Sequence, residues 1–148
     1  MGGNRFIAAA DFDRDGKPDV AVTSKGSSSV TLLPGKGDGT FLDPVSLPTA
    51  PAPEALVAED FDGDGKTDLL VAGGEEAGYL AVHRGRGDGT FVDAELHPAG
   101  KSAFAVSGCD LDRDGFRDVL VGNLDVPYAS LLAGEHRGKL RSARTITL

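Results

Sequence analysis

Residues 11–19 read Asp-Phe-Asp-Arg-Asp-Gly-Lys-Pro-Asp, and this nine-residue pattern, D-x-D-x-D-G-x-x-D, occurs three times in the chain. The second copy spans residues 60–68 and the third spans residues 110–118, so the copies start 49 and 50 residues apart. Self-similarity at this period indicates stacked supersecondary units, none of which can bury its apolar face alone. The sequence therefore predicts a threefold repeat.

A second motif repeats in step with the first. Residues 35–41 read Gly-Lys-Gly-Asp-Gly-Thr-Phe, residues 85–91 read Gly-Arg-Gly-Asp-Gly-Thr-Phe, and residues 134–140 keep only the two outer glycines. An Asp-Gly pair predicts a tight hairpin turn in which both residues have positive φ. The predicted turns are Asp38-Gly39, Asp88-Gly89 and, in a weaker version, Arg137-Gly138.

Each repeat is predicted to form four short strands, because apolar runs flank both motifs and no segment has the 3.6-residue period of a helix. The apolar triplets that follow the first motif are typical of strands buried on both faces. The predicted first strands are 6–10, 55–59 and 105–109, the second 20–22, 69–71 and 119–121, and the third 30–33, 80–83 and 130–133, while the fourth begin at Phe41, Phe91 and Leu140 and run for about seven residues.

Four-stranded units at this period predict an all-β chain made of three β-propeller blades. The whole chain is expected to be one three-blade unit, with blades at residues 4–49, 54–99 and 103–148.

The nine-residue motif has the donor pattern of a Ca²⁺ loop. Ca²⁺ takes roughly six to eight oxygen ligands. Motif positions 1, 3, 5 and 9 supply carboxylates, the glycine at position 6 permits a sharp turn, and position 7 offers its backbone carbonyl. We expect three calcium ions per chain, and oxygen-only donors disfavour zinc or copper. The expected ligands are Asp11, Asp13, Asp15, Lys17, Asp19, Asp60, Asp62, Asp64, Lys66, Asp68, Asp110, Asp112, Asp114, Phe116 and Asp118.

Two other interpretations of the motif were weighed. An EF-hand requires a glutamate at position 12 and flanking helices, but this chain has Val22, Val71 and Val121 there, between strand-like flanks. The alternative that the aspartates only form solvated Asx turns stays open, although the same spacing three times favours a metal site.

Composition narrows the class of protein. The 148 residues are 40% hydrophobic, which argues against disorder, and no apolar run approaches the ~18 residues of a membrane span. The formal net charge of −8 argues against nucleic acid or anionic membranes as partners. Twelve of the 23 acidic residues lie in the three motifs, so three divalent ions would bring the net charge to −2. The single cysteine, Cys109, cannot form an internal disulfide, and the first residues lack the apolar segment of a signal peptide.

At residues 12–20 and 60–71, each followed by G-x-G-D-G-T-F, the chain resembles the FG-GAP/VCBS repeats of integrin-α-type β-propellers. The resemblance implies propeller blades with calcium between the first two strands, and a binding or scaffolding role that is often extracellular. We therefore expect an extracellular or periplasmic origin. The Gly-Ala-Pro that names the family is absent after the second strand, and the third hairpin lacks its Asp-Gly. Both departures weaken any carry-over of partner binding from integrins.

The chain is expected to have no chemistry of its own, because it contains no G-x-S-x-G, Walker loop or paired-glutamate arrangement. The first function class is a calcium-stabilised binding or scaffold module for a protein or a glycan. Glycan binding is disfavoured because the chain has no Trp and 6% aromatic residues. The alternatives are an accessory domain of a secreted enzyme and an engineered or excised propeller fragment whose role is structural self-assembly.

Two interaction surfaces are expected. The loops between the second and third strands share the face opposite the calcium motif, and variable loops on a rigid scaffold commonly carry recognition. Because propellers have roughly 4–8 blades, three blades form an open arc, and we expect a homodimer that closes a six-bladed ring. The candidate recognition residues on the loops are Glu75, Glu76, Tyr79, Asp125 and Tyr128.

Overall fold

The computed structural model of the chain describes residues 4–24, 26–124 and 126–147. Over these residues the chain is all-β, with one short 3-10 turn at His136–Gly138 and no α-helix. The strands form three four-stranded antiparallel sheets and one two-stranded sheet, which confirms the predicted fold class of all-β, blade-like repeats. Two predicted positions lie outside the described residues: Asp125, a candidate recognition residue, and Leu148, the last residue of the predicted third blade.

Each four-stranded sheet is built from consecutive segments of the chain, and we call the sheets blades one, two and three. Blade one contains β1 (Asn4–Ala10), β2 (Asp19–Ser24), β3 (Ser29–Leu33) and β4 (Val45–Pro48). Blade two contains β5 (Pro53–Glu59), β6 (Asp68–Gly73), β7 (Tyr79–His83) and β8 (Glu95–Pro98). Blade three begins with β9 (Ala103–Cys109), β10 (Asp118–Asn123) and β11 (Tyr128–Leu132), continues through the short pair β12 (Gly134–Glu135) and β13 (Lys139–Leu140), and ends with β14 (Arg144–Thr147).

The fourth strands begin later than the sequence predicts. Phe41 forms only an isolated bridge with Gly35, and regular pairing resumes where Val45 lies opposite Leu32. Between these two pairs, the three residues 42–44 lie opposite the two residues 33–34, so a bulge interrupts the ladder. The same interruption separates Phe91 from β8.

The hairpin turns also differ from the prediction. In blade one the positive φ angles belong to Gly37 and Gly39, at 81° and 86°, and Asp38 has none. The backbone N–H of Lys36 donates to the carbonyl of Thr40 at 2.9 Å, which closes a three-residue turn. The glycine before the aspartate permits this longer turn.

The weaker turn of blade three has the consecutive positive φ angles that the Asp-Gly pairs lack. They are 63° at Arg137 and 64° at Gly138.

Blade two lies between the other two blades, and a separate apolar cluster fills each gap. On β6, Leu69 and Val71 pack towards blade one, whereas Leu70 and Ala72 pack towards blade three. Burying such a side chain contributes about 1.5–3 kcal/mol. The prediction of burial on both faces is correct for blade two only. The apolar triplets of the end blades instead alternate between buried and half-buried residues, because no described residues cover their outer faces.

The loops at the two ends of the strands form two separate surfaces. The nine-residue motifs lie beside the hairpins, as the hydrogen bond from Gly35 to Asp19 shows. At the other end the linkers between blades bond to the loops between second and third strands, for example through Ser102 and Glu75. No helix among the described residues is long and apolar enough to cross a membrane.

Candidate metal centres

The last aspartate of each motif is buried and links three segments of its blade. In blade one, Asp19 accepts hydrogen bonds from the backbone N–H groups of Phe12 at 2.9 Å and Gly35 at 2.7 Å. One carboxylate therefore joins the start of the motif to the start of β2 and to the hairpin. The equivalent bonds are Phe61 and Gly85 to Asp68, and Leu111 and Gly134 to Asp118.

This anchoring role was missed in the sequence, where position 9 was interpreted only as a metal ligand. The first hairpin glycine could have indicated it. A Cβ atom at Gly35 would collide with the carbonyl oxygen of Pro18, the residue before Asp19. Glycine is required there because the hairpin backbone must approach the aspartate closely.

The first three aspartates of each motif fold the loop around their own carboxylates. In the first loop, Asp11 accepts from the N–H of Gly16 at 2.9 Å, Asp13 from Asp15 at 3.1 Å, and Asp15 from Lys17 at 2.9 Å. The other two loops repeat these bonds. The aspartates thus do form Asx-type turns, as one of the interpretations required, and the turns orient the carboxylates.

The carboxylates of each loop converge. Three residues per loop each bring one carboxylate oxygen to a common position, where these atoms lie within 4.8 Å of one another. Every donor in the three groups is a hard oxygen, and each loop has a backbone turn that presents several of them at once. The arrangement fits Ca²⁺ and disfavours softer metals. The groups are Asp11, Asp13 and Asp15; Asp60, Asp62 and Asp68; and Asp110, Asp112 and Asp118.

The remaining predicted ligands lie in the same loops. Asp19 is buried beneath the first loop through its two backbone hydrogen bonds, and Asp64 and Asp114 accept the N–H two residues further on. The metal-ligand roles of these aspartates, and of the carbonyl groups at Lys17, Lys66 and Phe116, stay predictions.

Burial raises the pKa of two of these aspartates, and the neighbouring carboxylates add to the effect. Burial raises the pKa of Asp68 to about 6, and the charges of Asp62 and Asp64 add to this effect against two backbone hydrogen bonds. Burial also raises the pKa of Asp13, and the charges of its neighbouring aspartates contribute. A cation among these groups would favour their ionised forms.

Two of the loops contain a cationic side chain of their own. The Nζ atom of Lys17 lies 2.6 Å from Asp15, and that of Lys66 lies 2.6 Å from Asp64. The hydrogen bond from each lysine holds the pKa of its partner aspartate below the usual range. The third loop has Phe116 at this position, and its ring instead packs 5.9 Å from that of His136.

The Arg86-Gly87-Asp88 tripeptide is used by its own hairpin. Asp88 accepts from the backbone N–H and the hydroxyl of Thr90, at 3.0 and 2.6 Å, and Arg86 donates to the carbonyl of Phe91 at 2.9 Å. The side chains of Arg86 and Asp88 are therefore both hydrogen-bonded within the hairpin.

The candidate recognition residues on the opposite surface differ in their exposure. Glu75 and Glu76 are exposed, and Tyr128 is half-buried. Tyr79 is buried instead of lying on the surface, and its hydroxyl donates to the carbonyl of Ala50 at 2.8 Å. Asp125 lies outside the described residues, so the candidate surface reduces to Glu75, Glu76 and Tyr128.

A shallow cleft adjoins Glu75 between blades two and three. It has a volume of about 260 Å³ and is lined on its other side by Ser102, Phe104 and Leu124.

Comparison with known proteins gives one finding that covers all three motifs. The profile of the FG-GAP-like repeat family matches the chain twice, over residues 11–71 and 60–121. No curated protein matches the chain. The two matches together span most of the sequence, and the chain belongs to the FG-GAP-like repeat family.

Proposed function

We propose that this chain is a calcium-stabilised β-propeller module that binds or scaffolds other molecules and has no chemistry of its own. The observation that carries the proposal is the convergence of three carboxylates in each of three equivalent loops. One Ca²⁺ per loop would be held by the four motif aspartates and the carbonyl of position 7.

Calcium would supply charge compensation and rigidity. Each motif joins the first two strands of its blade, and its last aspartate also bonds the hairpin, as Asp68 does with Gly85. An ion that holds the loop would therefore stiffen a whole edge of the blade. Because the ion binds the folded loop and not the unfolded chain, it stabilises the fold by mass action.

The expected affinity bears on where the protein works. Loops of this kind in extracellular modules bind calcium with dissociation constants on the order of 10⁻⁴ to 10⁻³ M. Such sites fill only where calcium is millimolar, so we propose an extracellular or periplasmic location.

The surface opposite the calcium loops is the proposed recognition surface. It presents Glu75 and Glu76 on the loop between β6 and β7, and Tyr128 at the start of β11. With no Trp in the chain, platforms for sugar stacking are scarce. We therefore favour a protein over a glycan as the ligand.

Calorimetric titration with CaCl₂ tests the metal proposal directly. The expected result is three equivalents of calcium bound per chain, with no comparable heat from ZnCl₂. The absence of calcium binding at millimolar concentrations would overturn it.

A further inference from the structure

The chain presents two open sheet faces, one at each end of the row of blades. The open face of blade one is formed by the residues of β1 and β2 that point away from blade two, and that of blade three by the corresponding residues of β9, β10 and β11. Both faces are mainly apolar, and their residues are exposed or half-buried. They comprise Ile7, Ala9, Val20 and Val22 in blade one, and Ala105, Leu120, Ala129 and Leu131 in blade three.

The two open faces are of opposite kinds. Blade two packs on blade one through a set of its own residues. The residues at the same repeat positions in blade one form the open face of blade one. The residues on the open face of blade three are equivalent to those with which blade two packs on blade three. Within the chain the two apolar clusters, one between blades one and two and one between blades two and three, each join one face of each kind, so the open faces are a matching pair. The equivalents in blade two, buried except for the partly buried Ala58, are Leu56, Ala58, Leu69 and Val71 for the first face, and Ala55, Leu70, Leu80 and Val82 for the second.

An aromatic contact at the rim of the first interface supports this match. Phe12, the second residue of the first motif, is buried against Phe91 in the hairpin of blade two, with ring centroids 5.6 Å apart. Phe61 is likewise buried in the cluster between blades two and three, where Leu140 packs against that cluster. The first two motifs thus each insert one large apolar side chain against the hairpin region of the next blade.

The two end blades each carry one side of such a contact: the motif residue in blade three and the hairpin residue in blade one. Neither has its partner among the described residues. Leu111, the equivalent of Phe12 in blade three, is 49% exposed, and Phe41, the equivalent of Phe91 in blade one, is 40% exposed. Their equivalents at the first interface are buried. The open face of blade three therefore offers the inserted side chain, and the open face of blade one offers the surface that would receive it.

Charge complementarity follows the same pattern. Arg14, at motif position 4, reaches across the first interface, where its side chain lies beside Gly87 and beside Gly65, the residue that follows Asp64. Arg113 is its equivalent in blade three, and the two residues have nearly identical positive φ angles of 62° and 63°. The residue of blade one equivalent to Asp64 is Asp15. A cation at one end of the chain thus matches a carboxylate at the other.

We propose that a second copy of this chain covers both open faces, with blade three of each copy docked on blade one of the other. Two copies then form a six-bladed ring with twofold symmetry, which is within the usual range of roughly 4–8 blades, whereas three copies would exceed it. Each interface is heterologous, but the ring closes, so no open face is left. The proposal goes beyond calcium binding, since it depends only on how the blades pack.

The mass of the chain in solution is the first test. In saturating calcium, light scattering is expected to give a single species at twice the 15.2 kDa chain mass. A monomer at high concentration, a trimer or an open-ended series would overturn the proposal. Circular dichroism recorded on the same sample shows whether the chain is folded, and calorimetric titration with CaCl₂ shows separately whether it binds calcium.

Substitution of Leu111 provides the matched test. Leu111→Glu is expected to give a folded monomer, because a carboxylate at this position cannot be buried against Phe41. The control is Leu96→Glu, at a leucine of β8 that is 55% exposed and lies outside both open faces, and it is expected to remain a dimer. A dimeric Leu111→Glu variant would contradict the proposal. Arg113→Glu tests the same interface by charge, and is expected to weaken the dimer at least about tenfold.

Cross-linking distinguishes a closed ring from an open polymer. In a Cys109→Ser background, Phe41→Cys and Leu111→Cys place one thiol at each end of the chain. A short thiol-reactive bismaleimide is expected to convert the double-cysteine protein to a covalent dimer with no free thiol, and to leave either single-cysteine protein uncross-linked. A ladder of higher oligomers, or no cross-link at all, would overturn the ring.

Discussion

The Oδ1 atom of Asp68 accepts a 2.7 Å hydrogen bond from the backbone N–H of Gly85, which lies 17 residues further along the chain. The other carboxylate oxygen accepts the N–H of Phe61 at 3.1 Å. The carboxylate is buried, so both N–H groups depend on it. This aspartate therefore holds the motif and the hairpin of the blade together, whether or not it also contacts a metal ion.

Asp68→Ala is expected to destabilise the protein even in the absence of calcium. The substitution leaves two buried N–H groups without an acceptor, each at a cost of about 1–3 kcal/mol. Urea denaturation in the presence of chelator should therefore show a loss of about 2–6 kcal/mol in the free energy of unfolding. The matched control is Asp88→Ala, which removes an exposed aspartate from the hairpin of the same blade. A loss that appears only in calcium would mean that Asp68 acts solely as a metal ligand.

Calcium is expected to raise the melting temperature. At 10 mM Ca²⁺, a site with a dissociation constant of 10⁻⁴ to 10⁻³ M contributes about 1.4–2.7 kcal/mol to stability. Three such sites shift the melting temperature of a chain of this size upwards by at least about 10 °C. Differential scanning calorimetry with chelator and then with Ca²⁺ measures the shift. Mg²⁺ serves as the comparison ion, because its strict octahedral geometry predicts a smaller effect. An equal midpoint with and without calcium would contradict the proposed sites.

Asp62→Ala is expected to lower the calcium stoichiometry from three to two. Asp62 is one of the three converging carboxylates of the second loop, and the other two loops lie on separate blades. Calorimetric titration gives the stoichiometry, and Asp88→Ala should keep all three sites. Three ions bound to the Asp62→Ala variant would show that the ligand assignment is wrong.

Lys17→Met is expected to strengthen calcium binding at the first site a few-fold. The ammonium group of Lys17 lies 2.6 Å from Asp15 and competes with the ion for this carboxylate. Removing the ammonium group removes the competitor and leaves the backbone carbonyl at this position. The matched control is Lys101→Met, on the linker at the opposite surface, which should leave all three affinities as they are in the parent protein. Unchanged binding by Lys17→Met would indicate that Asp15 does not contact the ion.

The sequence predicted the repeat, the blade-like sheets and the position of the candidate metal loops, because each of these follows from residues close together in the chain. The triplet Leu69-Leu70-Val71, for example, predicts a strand from its local sequence alone, whichever elements pack against it. The features that the sequence did not predict depend on contacts between residues far apart in the chain. Val20 is half-buried although its equivalent Leu69 is fully buried, since burial depends on whether another blade covers the face. The anchoring bond between Asp68 and Gly85 was missed for the same reason.

Acid is expected to destabilise the protein through His83. This histidine is fully buried between blades, with Nε2 3.0 Å from the hydroxyl of Thr49, and burial lowers its pKa to about 4 from an ordinary value near 6.5. Between these two values the unfolded chain binds a proton that the folded chain does not, so stability falls as the pH falls from about 6.5 to about 4. The full effect is about 3 kcal/mol. The buried carboxylate of Asp68 acts in the opposite direction, because its raised pKa makes the folded state bind a proton first as the pH falls through about 6.

A comparison with His83→Gln isolates the histidine from this opposing effect. Glutamine can keep a hydrogen bond to Thr49, but it does not titrate. Urea denaturation at a series of pH values between 7 and 4 gives the free energy of unfolding of both proteins. As the pH falls over this range, the free energy of unfolding of the parent is expected to decrease by about 3 kcal/mol more than that of His83→Gln. Parallel curves for the two proteins would show that His83 takes up its proton equally in the folded and unfolded states, and therefore that it is not buried as the structure places it.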